Sequence, residues 1–195
     1  MQKNRIRPDW SPDQAQTEMT QALAALNNKV DGVNAANDST AVGAFAAMKA
    51  AGITTFPPMT GQDAQVDRIQ PILSGQQYMT VYKAIKAEAG DAAQLAYDLA
   101  TGATVPSTMM SGTTNNCSID VPSILLAPVV VTKDNIETTV IIDGFWQVSD
   151  ICTADFTPAC TAAGISIVGD AIRARDDQAR DRFSCVAIAR PDEEV

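Results

Sequence analysis

Val30-Asp31-Gly32-Val33-Asn34-Ala35-Ala36, running into Asn37-Asp38, is the first of three apolar segments that decide the fold. The second is Phe56-Pro57-Pro58-Met59-Thr60-Gly61-Gln62, running into Asp63, and the third is Tyr78-Met79-Thr80-Val81-Tyr82, running into Lys83. Each reads as a buried strand, with helical periodicity between them. This βαβα order predicts right-handed crossovers and a parallel α/β sheet. In such a sheet, ligands bind outside the carboxyl ends of the strands, which is where Asn37, Asp63 and Lys83 fall. One amide, one carboxylate and one ammonium match vicinal hydroxyls better than a phosphate or an apolar surface. The pattern points toward a sugar.

Working outward, residues 13–26 place Ala15, Met19, Ala22, Leu23 and Leu26 on one helical face. Ser11 is the expected N-cap, with Pro12 at the first helical position. A second helix follows Asp38-Ser39, with Ala41, Ala44, Phe45 and Met48 inward, and stops near Gly52. A third is expected over 64–74, with Val66, Ile69 and Leu73 inward and Pro71 kinking or ending it. A fourth over 84–100 presents Ile85, Ala89, Ala92, Ala96 and Leu99. Residues 103–120 read as a loop, 121–131 as a buried strand interrupted by Pro122 and Pro128, and 134–146 as a short turn or helix before another apolar stretch. The segment 170–182 is charged at helical spacing with little apolar face, which reads as a solvated helix.

Composition narrows the function. The chain has 195 residues, with 46% apolar and 19% charged, a globular balance. No apolar run approaches the roughly 18 residues that span a bilayer. A net charge of −9 argues against a nucleic-acid surface, which needs clustered cations. The absence of histidine removes the commonest general base and metal ligand, and no nucleophile–base pair stands out, so neither an enzyme, a cofactor nor a metal site is expected. Cys117, Cys152, Cys160 and Cys185 fit no zinc spacing. Cys152 and Cys160 are close enough for a loop disulfide suited to an exported protein, or are two free thiols. Residues 1–8 are basic but no apolar stretch follows, so no signal peptide is read here.

Trp10, in the loop before the first helix, is placed to stack on the apolar face of a pyranose. Each candidate also has an ordinary role available. Trp10 could simply pack, Asn37 could cap the second helix and Asp63 the third, and Lys83 could pair with Asp63 as a structural salt bridge.

Four stretches carry a family resemblance: Asn27-Asn28-Lys29-Val30-Asp31-Gly32-Val33, Ala35-Ala36-Asn37-Asp38-Ser39-Thr40-Ala41, Thr60-Gly61-Gln62-Asp63-Ala64 and Gln77-Tyr78-Met79-Thr80-Val81-Tyr82-Lys83. With Asp120-Val121-Pro122-Ser123, Val131-Thr132-Lys133-Asp134-Asn135-Ile136 and Asp143-Gly144-Phe145, they resemble the D-xylose-binding periplasmic proteins, the solute receptors of ATP-driven (ABC) sugar importers. The likeness covers roughly residues 8–165. It implies an α/β, three-layer, parallel-sheet lobe of a type I periplasmic binding protein, namely the second, C-terminal lobe with the first lobe missing. By this resemblance 1–83 is the sugar-binding lobe, and 84–120 is a hinge-crossing helix and loop that would pack on the first lobe. Residues 121–165 are then the return strand, hinge and C-terminal segment, and 166–195 a frayed extra tail.

The positions matching the family's sugar contacts are Trp10, Asn37, Asp63 and Lys83. The family usually has glycine where Ser39 and Val42 stand, and proline where Ala84 stands. The resemblance further implies a xylose-like monosaccharide as ligand, a membrane permease as partner of the full-length protein, and a periplasmic or extracellular setting. A transcriptional regulator with the same ligand domain would need a DNA-binding motif and a basic face, and the sequence has neither. The alternative function is an orphan lobe acting as an interaction or structural protein, paired with itself or with a separate first lobe.

Overall fold

The computed structural model describes residues 9–166. The expected tail, its charged 170–182 segment, Cys185 and the basic residues 1–8 lie outside these, Ser166 excepted. Helix α1 (Pro12–Ala25) begins at Ser11, whose hydroxyl accepts from the Gln14 N–H. Helix α2 (Asp38–Ala50) begins at Asn37 in a capping box with Thr40. The two helices meet at Gly43, where a Cβ would lie 2.7 Å from the Gln16 nitrogen and collide with the Pro12 carbonyl. A bare α-carbon is therefore what allows the approach. Val42 is half-buried, and Gly43 beside it takes the crowded position.

Helix α3 (Val66–Leu73) starts later than expected, at Gln65, and carries Pro71 within its last turn. Strand β1 (Thr80–Tyr82) follows, then helix α4 (Ile85–Thr101), which ends at left-handed Gly102. The expected first two strands shrink to a parallel bridge between Val33 and Met59. Val33 N–H donates to Pro58 and Thr60 N–H to Val33. Pro57 and Pro58 have no N–H of their own, so a longer ladder has no donors there. The second segment in turn bonds to the third, through Tyr78 N–H to Met59 and Asp63 N–H to Val81. The three segments thus lie side by side, running parallel as expected.

The last stretch corrects the expectation. In place of one buried strand over 121–131 there are two elements, β3 (Asp120–Ser123) and β4 (Val129–Val131). Strand β4 pairs with β1 antiparallel, Thr80 opposite Val131 and Tyr82 opposite Val129. Strand β3 turns back as a hairpin on β2 (Gly112–Asn115), which lies in the region read as loop. Its tip is closed by the Asn116 side chain, which accepts from Ser118 and Ile119 N–H, with Cys117 at φ 72°. An apolar run signals burial but specifies neither strand direction nor pairing partner. A five-residue π-helical segment (Glu137–Ile141) and short helices α5 (Val148–Ile151) and α6 (Thr157–Ala162) complete the described chain.

Two hydrophobic clusters give the helix–sheet–helix layering. One joins Leu23, Ala41, Ala44, Ala47, Met48 and Met59 beneath α1 and α2. The other gathers Ile69, Ile72, Tyr82, Val131, Val140 and Ile151 with the α5–α6 corner, where Cys152 and Cys160 are joined as a disulfide. Among the described residues, neither α4 nor the β2–β3 hairpin supplies a side chain to these clusters. The face of α4 expected to point inward is exposed, with Ile85 at 53% and Leu99 at 66%.

Candidate functional site

The turn between the second segment and α3 is the structural centre of the site. Asp63 and Ala64 both adopt positive φ, 100° and 51°, a region that costs side-chain-bearing residues roughly 1–3 kcal/mol each. Long-range bonds hold them there. Asp63 N–H donates to Val81, Ala64 N–H to the Thr80 hydroxyl at 3.2 Å, and the Ala64 carbonyl accepts from the Trp146 indole at 2.7 Å. The turn aims the Asp63 carboxylate at Lys83, just beyond β1, and the two form an ion pair of 2.8 Å. Both side chains keep access to solvent, at 34% and 43% exposure. Asp63 does not cap α3, which starts at Gln65 without a side-chain cap.

Asn37 reaches the same edge from α2. Asp38 N–H donates to the Gln62 carbonyl at 2.9 Å, which pins the start of α2 to the Asp63 turn. The Asn37 side-chain oxygen accepts from Thr40 N–H at 3.0 Å, and Asn37 is buried. Capping therefore engages one lone pair of its oxygen, and the amide NH2 carries most of its remaining hydrogen-bonding capacity. Trp10 stands two residues before α1 at positive φ, half-exposed at 51%. The Pro12–Gly43 contact sets this end of α1 beside the first turns of α2. The structure thus gathers Asn37, Asp63 and Lys83 on three adjoining segments and tethers Trp10 through the helix pair.

Sequence reasoning passed over the residues beneath this edge. Asp38 is fully buried, and its carboxylate accepts from Gln65 N–H, the Thr80 hydroxyl and the Gln77 amide. Burial pushes its pKa up to about 6, against these hydrogen bonds and with some help from the charge of Asp63. Arg68, buried in α3, lies over the Phe45 ring at 5.6 Å, and burial pulls its pKa below the ordinary value. Ser39 accepts from the Gln65 side chain at 3.2 Å and so ties the start of α2 to that of α3. Farther along β1, burial and the Asp143 carboxylate, which accepts from its hydroxyl, push Tyr82 up to about 12. The signal for Asp38 was its place directly after Asn37. Its partners are distant in sequence, and nothing local announced them.

An arrangement with one flexible cation, one carboxylate and an amide, beside a half-exposed indole, can grip a small polyol by paired hydrogen bonds and ring stacking. Its open side faces solvent.

A family model described as periplasmic binding protein domain matches residues 2–104. The D-xylose-binding periplasmic protein of Escherichia coli K12 is 44% identical over 142 residues, 73% of this chain and 42% of that protein. The D-xylose-binding periplasmic protein of Haemophilus influenzae is 41% identical over 136 residues, 70% of this chain and 40% of its own. A carbohydrate-transporter solute-binding protein from Chloroflexus aurantiacus, solved in complex with D-glucose, superposes with a TM-score of 0.65 at 32% identity. That match covers 73% of this chain and 42% of the other. The chain spans about two fifths of the length of these relatives, as one lobe of a two-lobed receptor would. From the wall of three adjoining segments and the family match over more than half its length, the chain belongs to the periplasmic binding protein family.

Proposed function

We propose that this chain is the second lobe of a solute receptor for an ATP-driven sugar importer, carrying half of a site for xylose or a similar monosaccharide. The observation that carries the reading is the Asp63–Lys83 pair, solvent-accessible and 2.8 Å apart at the edge where Asn37 also lies. Asp63 would accept from sugar hydroxyls, Lys83 and the Asn37 amide would donate to them, and Trp10 would stack on the ring. No proton or group is transferred, so the reading is of a binding protein.

In a whole receptor of this kind the first lobe would close over the sugar, and the closed form would be what the permease recognises. The exposed α4 face, with Ile85 and Leu99, fits a surface made to be covered. The Cys152–Cys160 disulfide suits the oxidising periplasm that the names of the relatives indicate.

A half-site loses the facing hydrogen bonds and the exclusion of water. Several bonds at about 1 kcal/mol net each shift a micromolar ligand to millimolar or weaker. The test is a nitrogen–proton correlation spectrum of the labelled chain titrated with xylose and then ribose. Movement of the Trp10 indole signal at millimolar xylose is expected. A micromolar dissociation constant for the chain alone would refute the half-site, and a well-dispersed spectrum that ignores both sugars would remove sugar binding.

A further inference from the structure

Asp38 bonds to every segment that carries a polar candidate ligand. It follows Asn37 in α2. Its Oδ2 accepts from Gln65 N–H at 2.9 Å, at the end of the turn that bears Asp63. Both its oxygens lie 2.9 Å from the hydroxyl of Thr80, in the strand that leads to Lys83. Gln77 donates to Oδ1 at 3.4 Å and also to the Met79 carbonyl at 3.1 Å.

We propose that Asp38 is the positioning residue of the half-site: it touches no sugar, and its bonds hold the Asn37, Asp63 and Lys83 segments in mutual register. This rests on the sugar-binding reading above.

Two further observations support it. A Cβ at Gly61 would collide with Asp38 Oδ1 and come within 2.8 Å of the Gln77 nitrogen, so the second segment passes hard against the carboxylate. The Gln77 carbonyl oxygen is buried and has no hydrogen-bond partner among the described residues. Turning the Gln77 amide over would offer this oxygen to a proton on Oδ1, in exchange for the bond to the Met79 carbonyl, while Gln65 N–H keeps its bond to Oδ2. Protonation therefore rearranges the bonds to the Gln77–Thr80 segment instead of breaking the cluster.

The charged groups around Asp38 come from two directions. The turn presents Asp63, itself paired with Lys83 from the end of β1. Helix α3 presents Arg68, which has Asp67 at 4.0 Å. Thr80 and Gln77, on the third side, are neutral. The pKa of about 6 puts the change within reach of mild acid.

The test follows the full chain between about pH 4.5 and 8 in nitrogen–proton spectra, where this carboxylate titrates. In the wild type, the Gln65, Asp63 and Thr80 amides are expected to shift with one midpoint near 6, and Asp38→Asn removes that step. Xylose affinity, read from the Trp10 indole, is expected to weaken by roughly tenfold below the midpoint and to be flat with pH in Asp38→Asn. Gly61→Ala, which displaces the carboxylate but keeps its charge, should weaken xylose at neutral pH.

The proposal is overturned if Asp38→Asn binds xylose as the wild type does at every pH, or if the three amides share no midpoint. Should Asp38→Asn fail to give a dispersed spectrum, the wild-type titration decides, a shared midpoint sustaining the proposal and its absence refuting it. Wild type that ignores xylose at every pH but shows the shared midpoint would overturn the sugar reading, while the hold of Asp38 on the Asp63 turn would stand.

Discussion

The indole N–H of Trp146 donates to the carbonyl of Ala64 at 2.7 Å, across 82 residues of sequence. Ala64 is fully buried and sits in the left-handed turn that aims Asp63 at Lys83. The bond therefore links the C-terminal part of the described chain to the geometry of the site.

Trp146→Phe keeps most of the ring packing against Phe145 but leaves that buried carbonyl without its donor. The expected loss is about 1–3 kcal/mol, measured by urea denaturation. The Asp63 amide signal should move in the same variant. Unchanged stability together with an unmoved Asp63 amide would show that the bond does not secure the turn.

Asp63→Asn and Lys83→Met should behave differently from Trp146→Phe. Their pair is half-exposed, and such pairs contribute about 0–1 kcal/mol. Each variant should therefore stay within about 1 kcal/mol of wild type in denaturation while losing the xylose-induced indole shift. Sugar titration and unfolding run on the same samples separate the two effects.

The raised pKa of Asp38 has a defined sign for stability. The folded state holds this proton up to about pH 6, whereas the unfolded chain releases it near 3.8. Below 3.8 both states are protonated. As pH rises from there to about 6, the contribution of this group to stability is lost, by an amount on the order of 2–3 kcal/mol. Denaturation midpoints of wild type and Asp38→Asn across this window check it. The wild type should fall relative to the variant as pH rises, and parallel curves would contradict the assignment.

Reducing the Cys152–Cys160 disulfide opens a short loop, with the two cysteines 8 residues apart. Loop-closure entropy for that length gives a loss of about 2–3 kcal/mol. Both residues belong to the larger hydrophobic cluster, so Cys152→Ser/Cys160→Ser should lower the melting temperature as dithiothreitol does. Thiol titration of the folded, oxidised chain should label the exposed Cys117 and leave this pair untouched.

Ile85, Tyr97, Leu99, Leu125 and Leu126 are all exposed. A native-state hydrophobic dye should bind here, and Leu99→Lys with Leu126→Lys should reduce its fluorescence at least severalfold. Equal fluorescence in the variant would show that the dye binds elsewhere.

Much of this was legible in the sequence, for identifiable reasons. Ser11 and Pro12 announce α1, and Asn37 announces α2, because caps are local chemistry. Asn37, Asp63 and Lys83 share an edge because each ends one of three successive parallel segments. The β2–β3 hairpin was not legible, because Asn115-Asn116-Cys117-Ser118 lacks a glycine turn signal and the flanking threonines are exposed. Nor was the antiparallel pairing of β4, since Val129-Val130-Val131 gives no direction. Asp38, Thr80 and Trp146 escaped notice because their roles consist of bonds to residues 16 to 82 positions away.

The capping bond of Asn37 has a consequence for the chemistry of a ligand. In the proposed site, Asn37, its oxygen engaged by Thr40, would meet a hydroxyl chiefly as a donor, as Lys83 would, whereas Asp63 would meet it as an acceptor. The wall thus has a fixed polarity. A sugar oxygen that is methylated keeps its lone pairs and loses its proton, so it still satisfies Asn37 and Lys83 but has nothing to offer Asp63. If the proposed site holds a sugar, selectivity along this edge would be a matter of which hydroxyls must give a proton and which need only receive one.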